Sequence, residues 1–263
     1  MPSHLYIGGG VTFVFLMTCL GAATVFFFRK TISDQFRQIF LGFAAGIMIA
    51  ASIWSLLIPS IEEARAADGN AWLPAVFGFI LGVLFLMGLD HVIPHTHPSS
   101  GLQEGLPSKS KRSTLLLSAI ILHNIPEGIA VGLAFTLAIG QGDAFSMYAS
   151  AVALAIGIGV HNFPEGATVA LLFRQEGLST FRSFLLGCLS GAVDFVFAIG
   201  TIFLAVWLLP AMPWLLAFAA GAMMFVVVEE LIPEAHLGKH SHVGTVSVMA
   251  GFLLMMFLDV VLS

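Results

Sequence analysis

Two hexapeptides of one pattern, HNIPEG at 123–128 and HNFPEG at 161–166, place His, Asn and Glu in a fixed order inside apolar surroundings. His123 and Glu127, like His161 and Glu165, stand four residues apart. On a helix each pair shares a face and offers an imidazole nitrogen and a carboxylate oxygen in one column. Asn124 and Asn162 can add an amide oxygen from the adjoining strip. Pro126 and Pro164 each remove a backbone donor, which frees the carbonyls of Leu122 and Val160 and bends the helix beside the ligands. Gly128 and Gly166 permit close helix approach. Together the copies offer imidazoles, carboxylates and amides to one or two divalent cations. Imidazole with carboxylate suits zinc, iron or manganese better than calcium or magnesium, and the lack of a nearby thiolate argues against copper(I).

With a rise of about 1.5 Å per residue, His123 and Glu127 lie roughly 14 and 20 Å from the start of their apolar segment near Thr114. Counted back from Phe173, Glu165 and His161 lie roughly 12 and 18 Å in. All four are thus expected near the middle of a bilayer, where a carboxylate costs several kcal/mol unless it is paired, coordinated, protonated or wet. A kinked helix with its His bonded to Asn or backbone and its Glu protonated would explain one copy; two matched copies weigh against that reading. Asp194, in the middle of a later apolar segment, is either a third carboxylate completing a two-metal site or a protonated acid bonded to a neighbouring helix. Asp90, Glu229 and Glu230 could line an exit path or be solvated at the interface. His91, His95 and His97 end one segment, and His236, His240 and His242 another; with Asp90 and Glu234 they could take metal as it leaves, though clustered surface histidines can also be incidental.

The elements that must carry these residues are legible from composition. Of 263 residues 58% are hydrophobic and 10% charged, against roughly 25% charged in soluble domains, so the solvent must largely be lipid. Eight stretches reach the roughly 20 apolar residues that a helix needs to cross a bilayer: 5–28, 38–61, 71–93, 114–139, 146–173, 181–208, 213–236 and 243–262. The fold class expected is an all-α integral membrane protein of eight transmembrane helices in a single domain. The first segment lacks a basic n-region and a cleavage site and reads as an uncleaved helix. Nine of the ten Lys and Arg residues fall in alternate loops, with Arg65 on the other side. Both termini are therefore expected outside. The polar loop 94–113 reads as a flexible cytoplasmic linker. Cys19 and Cys188, without a CxxC pattern, read as core residues, and Asp259 reads as interfacial. Because consecutive helices run antiparallel, the hexapeptides form an inverted repeat, echoed by LLIPSIEE and ELIPEAH in the second and seventh segments.

These residues resemble the ZIP family of divalent metal transporters, in its GufA-like bacterial branch. The resemblance rests on LGFAAGIMIAASIWSLLIP, GLDHVIPHTH, the two hexapeptides, AFAAGAMMFVVVEELIPEAH and GFLLMMFLD, and spans essentially the whole chain. It implies uptake of Zn2+ and related ions into the cytoplasm by alternating access or an elevator-like movement, in a homodimer. It implies a primary metal site of His123, Glu127, His161 and Glu165, and a second site of Asn124, Asn162 and Asp194 sharing the glutamates. The chain departs from the family pattern at His161-Asn162 and Asp194-Phe195, which takes a charge from the second site and shortens an acid.

The function expected is transport of Zn2+, with Cd2+, Fe2+ and Mn2+ as further candidates, through a multi-pass protein of the bacterial inner membrane. The metal is cargo; no cofactor, no enzymatic activity and no nucleic-acid partner are expected. An intramembrane metal-dependent hydrolase is the alternative, since such a ligand set could also activate water.

Overall fold

The computed structural model describes residues 3–27, 34–67, 70–96, 103–104, 112–140, 145–175, 177–235 and 242–262. Nearly all of these are helical. Helix α1 covers Ser3–Ala23 and ends in a 3-10 turn, Thr24–Phe26. Helix α2 runs through Asp34–Ala51, Ser52–Leu57 and Ile58–Ala66, and α3 through Pro74–Gly78 and Phe79–Val92. Then come α4 (Arg112–Gly140), α5 (Phe145–Gln175) and α6 (Thr180–Phe203). Helix α7 comprises Met212–Val226, Val227–Leu231 and Ile232–Ala235, and α8 is Val243–Leu262.

Six helices among the described residues, corresponding to α1, α2, α3, α6, α7 and α8, are long and apolar enough to cross a membrane. The hexapeptides lie on α4 and α5, helices of 29 and 31 residues. The apolar stretch 181–208 does not form one helix. It stops at Phe203, Leu204 leaves the helical backbone region, and Ala205–Leu208 makes a single separate turn. Within the expected linker, His95–Thr96 pairs antiparallel with Gln103–Glu104; 97–102 and 105–111 lie outside the described residues.

Proline shapes α2 and α7 in the same way. The N–H of Ile58 reaches back five residues to the Ile53 carbonyl, and that of Ile232 reaches the Val227 carbonyl. In each helix the next residue is proline, Pro59 or Pro233, which cannot continue the i to i−4 ladder, so a wider π turn precedes it. The sequence echo between the two helices is thus an echo of backbone shape.

Glycine sets how the helices pair. A Cβ on Gly21 of α1 would collide with the Phe163 carbonyl of α5, and one on Gly166 of α5 with the Thr18 carbonyl of α1. The same reciprocal contact joins α2 to α8, with Gly46 on Val248 and Gly251 on Phe43, and α3 to α7, with Gly82 on Phe218 and Gly221 on Phe79. Gly128 brings α4 onto the backbone of Asp194 in α6, and Gly191 brings α6 onto Thr18 in α1. Glycine thus brings α1 onto α5 and α4 onto α6 backbone to backbone, and Gly187 of α6 lies against the Gly166 carbonyl of α5, while Gly191 meets Thr18 through its side chain. Where α5 faces α2 and α8, Gly157 meets only the side chains of Ile47 and Met255.

Lipid tails are as apolar as leucine, so close packing rather than the hydrophobic effect holds such pairs together. Gly21→Ala must push α1 off α5. It is expected to destabilise the protein in detergent by about 1–3 kcal/mol, read as a lowered melting temperature. Gly8→Ala, with nothing within 4 Å of the added carbon, is expected to leave melting unchanged.

Candidate metal site

The site forms where the proline-interrupted middles of α4 and α5 meet α6. Helix α4 supplies Asn124 and Glu127; α5 supplies His161, Asn162 and Glu165; α6 supplies Ser190 and Asp194. His161 Nε2 lies 3.2 Å from Glu127 Oε1 and 3.8 Å from Glu165 Oε2. One ligand atom from each of Glu127, His161 and Glu165 can be chosen so that all lie within 4.8 Å of one another. Ligands at about 2.0–2.2 Å from a tetrahedral zinc ion lie about 3.3–3.6 Å apart, so side-chain shifts of about 1 Å gather these three. The cluster is enclosed: Glu127 is 0% exposed, His161 3% and Glu165 10%.

Beside it, the two asparagine amides converge on one carboxylate oxygen. Asn162 Nδ2 donates to Asp194 Oδ2 at 2.8 Å, and Asn124 Nδ2 donates to the same atom at 3.3 Å and to the Ser190 carbonyl at 3.0 Å. With both NH2 groups directed at α6, each amide presents its oxygen elsewhere. The Oδ1 atoms of Asn124, Asn162 and Asp194, both Glu165 oxygens and His161 Nδ1 make no hydrogen bond. Buried polar atoms are ordinarily satisfied, and each that is not costs about 1–3 kcal/mol. So many unbonded buried acceptors on three adjoining helices is an arrangement suited to a cation.

Of the candidate ligands, the structure brings Asn124, Glu127, His161, Asn162, Glu165 and Asp194 together. His123 lies one helical turn before Glu127 on α4, and its side chain falls outside the described residues. Of the exit-path candidates, Asp90 and His91 sit on the last turn of α3, Glu229 and Glu230 on the π turn of α7, and His242 just before α8. His95 lies in the short strand pairing and Glu234 on the last turn of α7, both with undescribed side chains; His97, His236 and His240 lie outside the described residues.

Asp259, read from the sequence as interfacial, is buried against α2: it is 3% exposed and accepts a hydrogen bond from Ser55 Oγ at 2.7 Å. Gly251, Met255 and Asp259 recur every four residues on α8, and Gly251 packs on α2, so the same stripe carries Asp259 inward. That spacing was the available signal. The Ser190 carbonyl carried no signal at all, because a main-chain acceptor has no residue type.

Comparison with known proteins supplies the remaining constraint. A family profile described as ZIP Zinc transporter matches residues 105–259. The chain is 35% identical to the human zinc transporter ZIP11, covering 95% of each protein. It is 38% identical to the zinc transporter ZIPB of Bordetella bronchiseptica, over 99% of this chain and 82% of that protein. It is 36% identical to the zinc transporter GufA of Myxococcus xanthus, over 85% and 86%.

Proposed function

Since the chain belongs to the ZIP zinc transporter family, we propose that it carries Zn2+ into the cytoplasm through the cluster of Glu127, His161 and Glu165. It is a multi-pass integral membrane protein, and its bacterial relatives point to the inner membrane. The observation that carries the proposal is the buried meeting of two carboxylates and an imidazole from α4 and α5, in a helical bundle with apolar surroundings. Dehydrating a divalent cation in such a place requires anionic oxygen and imidazole ligands, which this cluster provides. His123, one turn away, is the fourth ligand in this reading. The hydrolase alternative finds no support among the relatives.

The cation enters mainly between α4 and α5, while Asp194 acts as an anchor. By holding both amide NH2 groups, it fixes the orientation of Asn124 and Asn162 and leaves their oxygens without a hydrogen bond. Asp194→Ala should therefore weaken zinc affinity about tenfold, the scale of losing a group that orients ligands, without abolishing uptake. A zinc titration of uptake rate in proteoliposomes measures this, and loss of all uptake would instead make Asp194 an indispensable ligand.

For movement, we take the glycine-locked set α1, α4, α5 and α6 as one body that carries the site past α2, α3, α7 and α8. The side-chain contact of Gly157 with Ile47 and Met255 lies on the sliding surface. Six of the eight helices are long, apolar spans; α4 and α5 complete the membrane domain, with both termini outside. Asp90, His91, Glu229 and Glu230 lie on the release side.

The reading as a transporter is tested by radiolabelled zinc uptake into proteoliposomes, with Cd2+, Fe2+ and Mn2+ as competitors. Flux above protein-free vesicles is expected; well-folded protein without it would sink the proposal. Metal binds imidazole and carboxylate only when they are deprotonated. Uptake is therefore expected to fall as the pH on the entry side is lowered, and a rate that rises instead would point to proton-driven coupling.

A further inference from the structure

The hairpin formed by the end of α2 and the start of α3 carries an open groove of about 550 Å³, remote in sequence from every ligand of the metal site. This is within the roughly 300–1,000 Å³ range of small-molecule clefts. Its walls are Leu57, Ile61, Val76 and Phe79, and the small side chain of Ala75 leaves room between the helices. Arg65 also lines it, on the last turn of α2, exposed and with no guanidinium hydrogen bond or ion pair among the described residues. Trp72, 60% exposed, lines the same groove. Tryptophan favours the depth of lipid headgroups.

We propose that this groove is a binding site for one glycerophospholipid, with an acyl chain between α2 and α3 and the phosphate on Arg65. Acyl chains alone cannot select the occupant, because the surrounding lipid is equally apolar. A guanidinium matched to a phosphodiester can, since its donors fit phosphate oxygens in pairs. Arg65 is also the one basic residue that the loop charges place on the outer side. Glu62 and Glu63 precede it on the same turn, so a singly charged phosphodiester fits better than a headgroup carrying several charges.

The test is native mass spectrometry of the full-length protein released from detergent with phosphatidylglycerol or with diacylglycerol of the same chains. One phosphatidylglycerol adduct is expected, favoured over diacylglycerol by about fivefold, the factor for roughly 1 kcal/mol per basic residue near a headgroup. Arg65→Gln should bring that ratio to about one. Val76→Trp, which fills the groove from an exposed position, should reduce both adducts. Unchanged melting temperatures check that both variants are folded. The proposal is overturned if Arg65→Gln keeps the wild-type ratio, or if Val76→Trp retains the lipid. It is equally overturned if Val76→Trp changes only the dimer content, which would assign the groove to a second copy of the chain.

Discussion

Glu127→Ala in proteoliposomes is expected to bring zinc uptake to the level of protein-free vesicles, a loss of at least a hundredfold. The carboxylate is fully buried and lies 3.2 Å from His161 Nε2, so removing it takes away one of four ligands in a place closed to water. Breaking a buried pair of charged groups costs about 3–5 kcal/mol, and each 1.4 kcal/mol is a factor of ten. Glu127→Gln, which keeps the shape and loses the charge, should fail to transport nearly as completely. Size-exclusion behaviour like that of the wild type separates this loss from misfolding. Retention of wild-type flux by either variant would remove Glu127 from the site.

The second large effect concerns movement. If α5 must slide past α2, then Ile47→Cys with Gly157→Cys, in a background with Cys19 and Cys188 replaced by serine, should transport when reduced and stop when a disulfide is formed. A carbon added at Gly157 lies 3.3 Å from Ile47 Cγ2, so the two thiols are neighbours. The other neighbours there are the terminal atoms of Met255, which can rotate away. Reductant should restore the rate. Undiminished uptake by the oxidised pair would mean that these helices keep their contact through the transport cycle.

How far the sequence foretold this arrangement differs by residue. The all-helical membrane character was plain in the apolar runs, and the i, i+4 spacing of His161 and Glu165 implied their shared face, because helix geometry converts spacing directly into position. The echo of LLIPSIEE in ELIPEAH singled out α2 and α7 as a related pair, each bent before its proline, Pro59 or Pro233. That the bend takes the form of π turns depends on which carbonyl the preceding N–H finds, and this is settled by packing. The amides of Asn124 and Asn162 could be expected at the site, but the end facing Asp194 is chosen by three-dimensional partners on α6. The burial of Asp259 against α2 follows from the stripe it shares with Gly251 and Met255, a spacing visible in the sequence. Glycine partners such as Gly21 and Phe163 lie far apart in the chain, so their contact has no local signature.

The central claim, that Glu127, His161 and Glu165 hold the transported ion, is tested most directly by crystals grown with zinc and measured on both sides of the zinc absorption edge. The account predicts an anomalous peak about 2.0–2.2 Å from His161 Nε2 and from an oxygen of each glutamate. A zinc peak elsewhere in the bundle, with none among these three side chains, would contradict it.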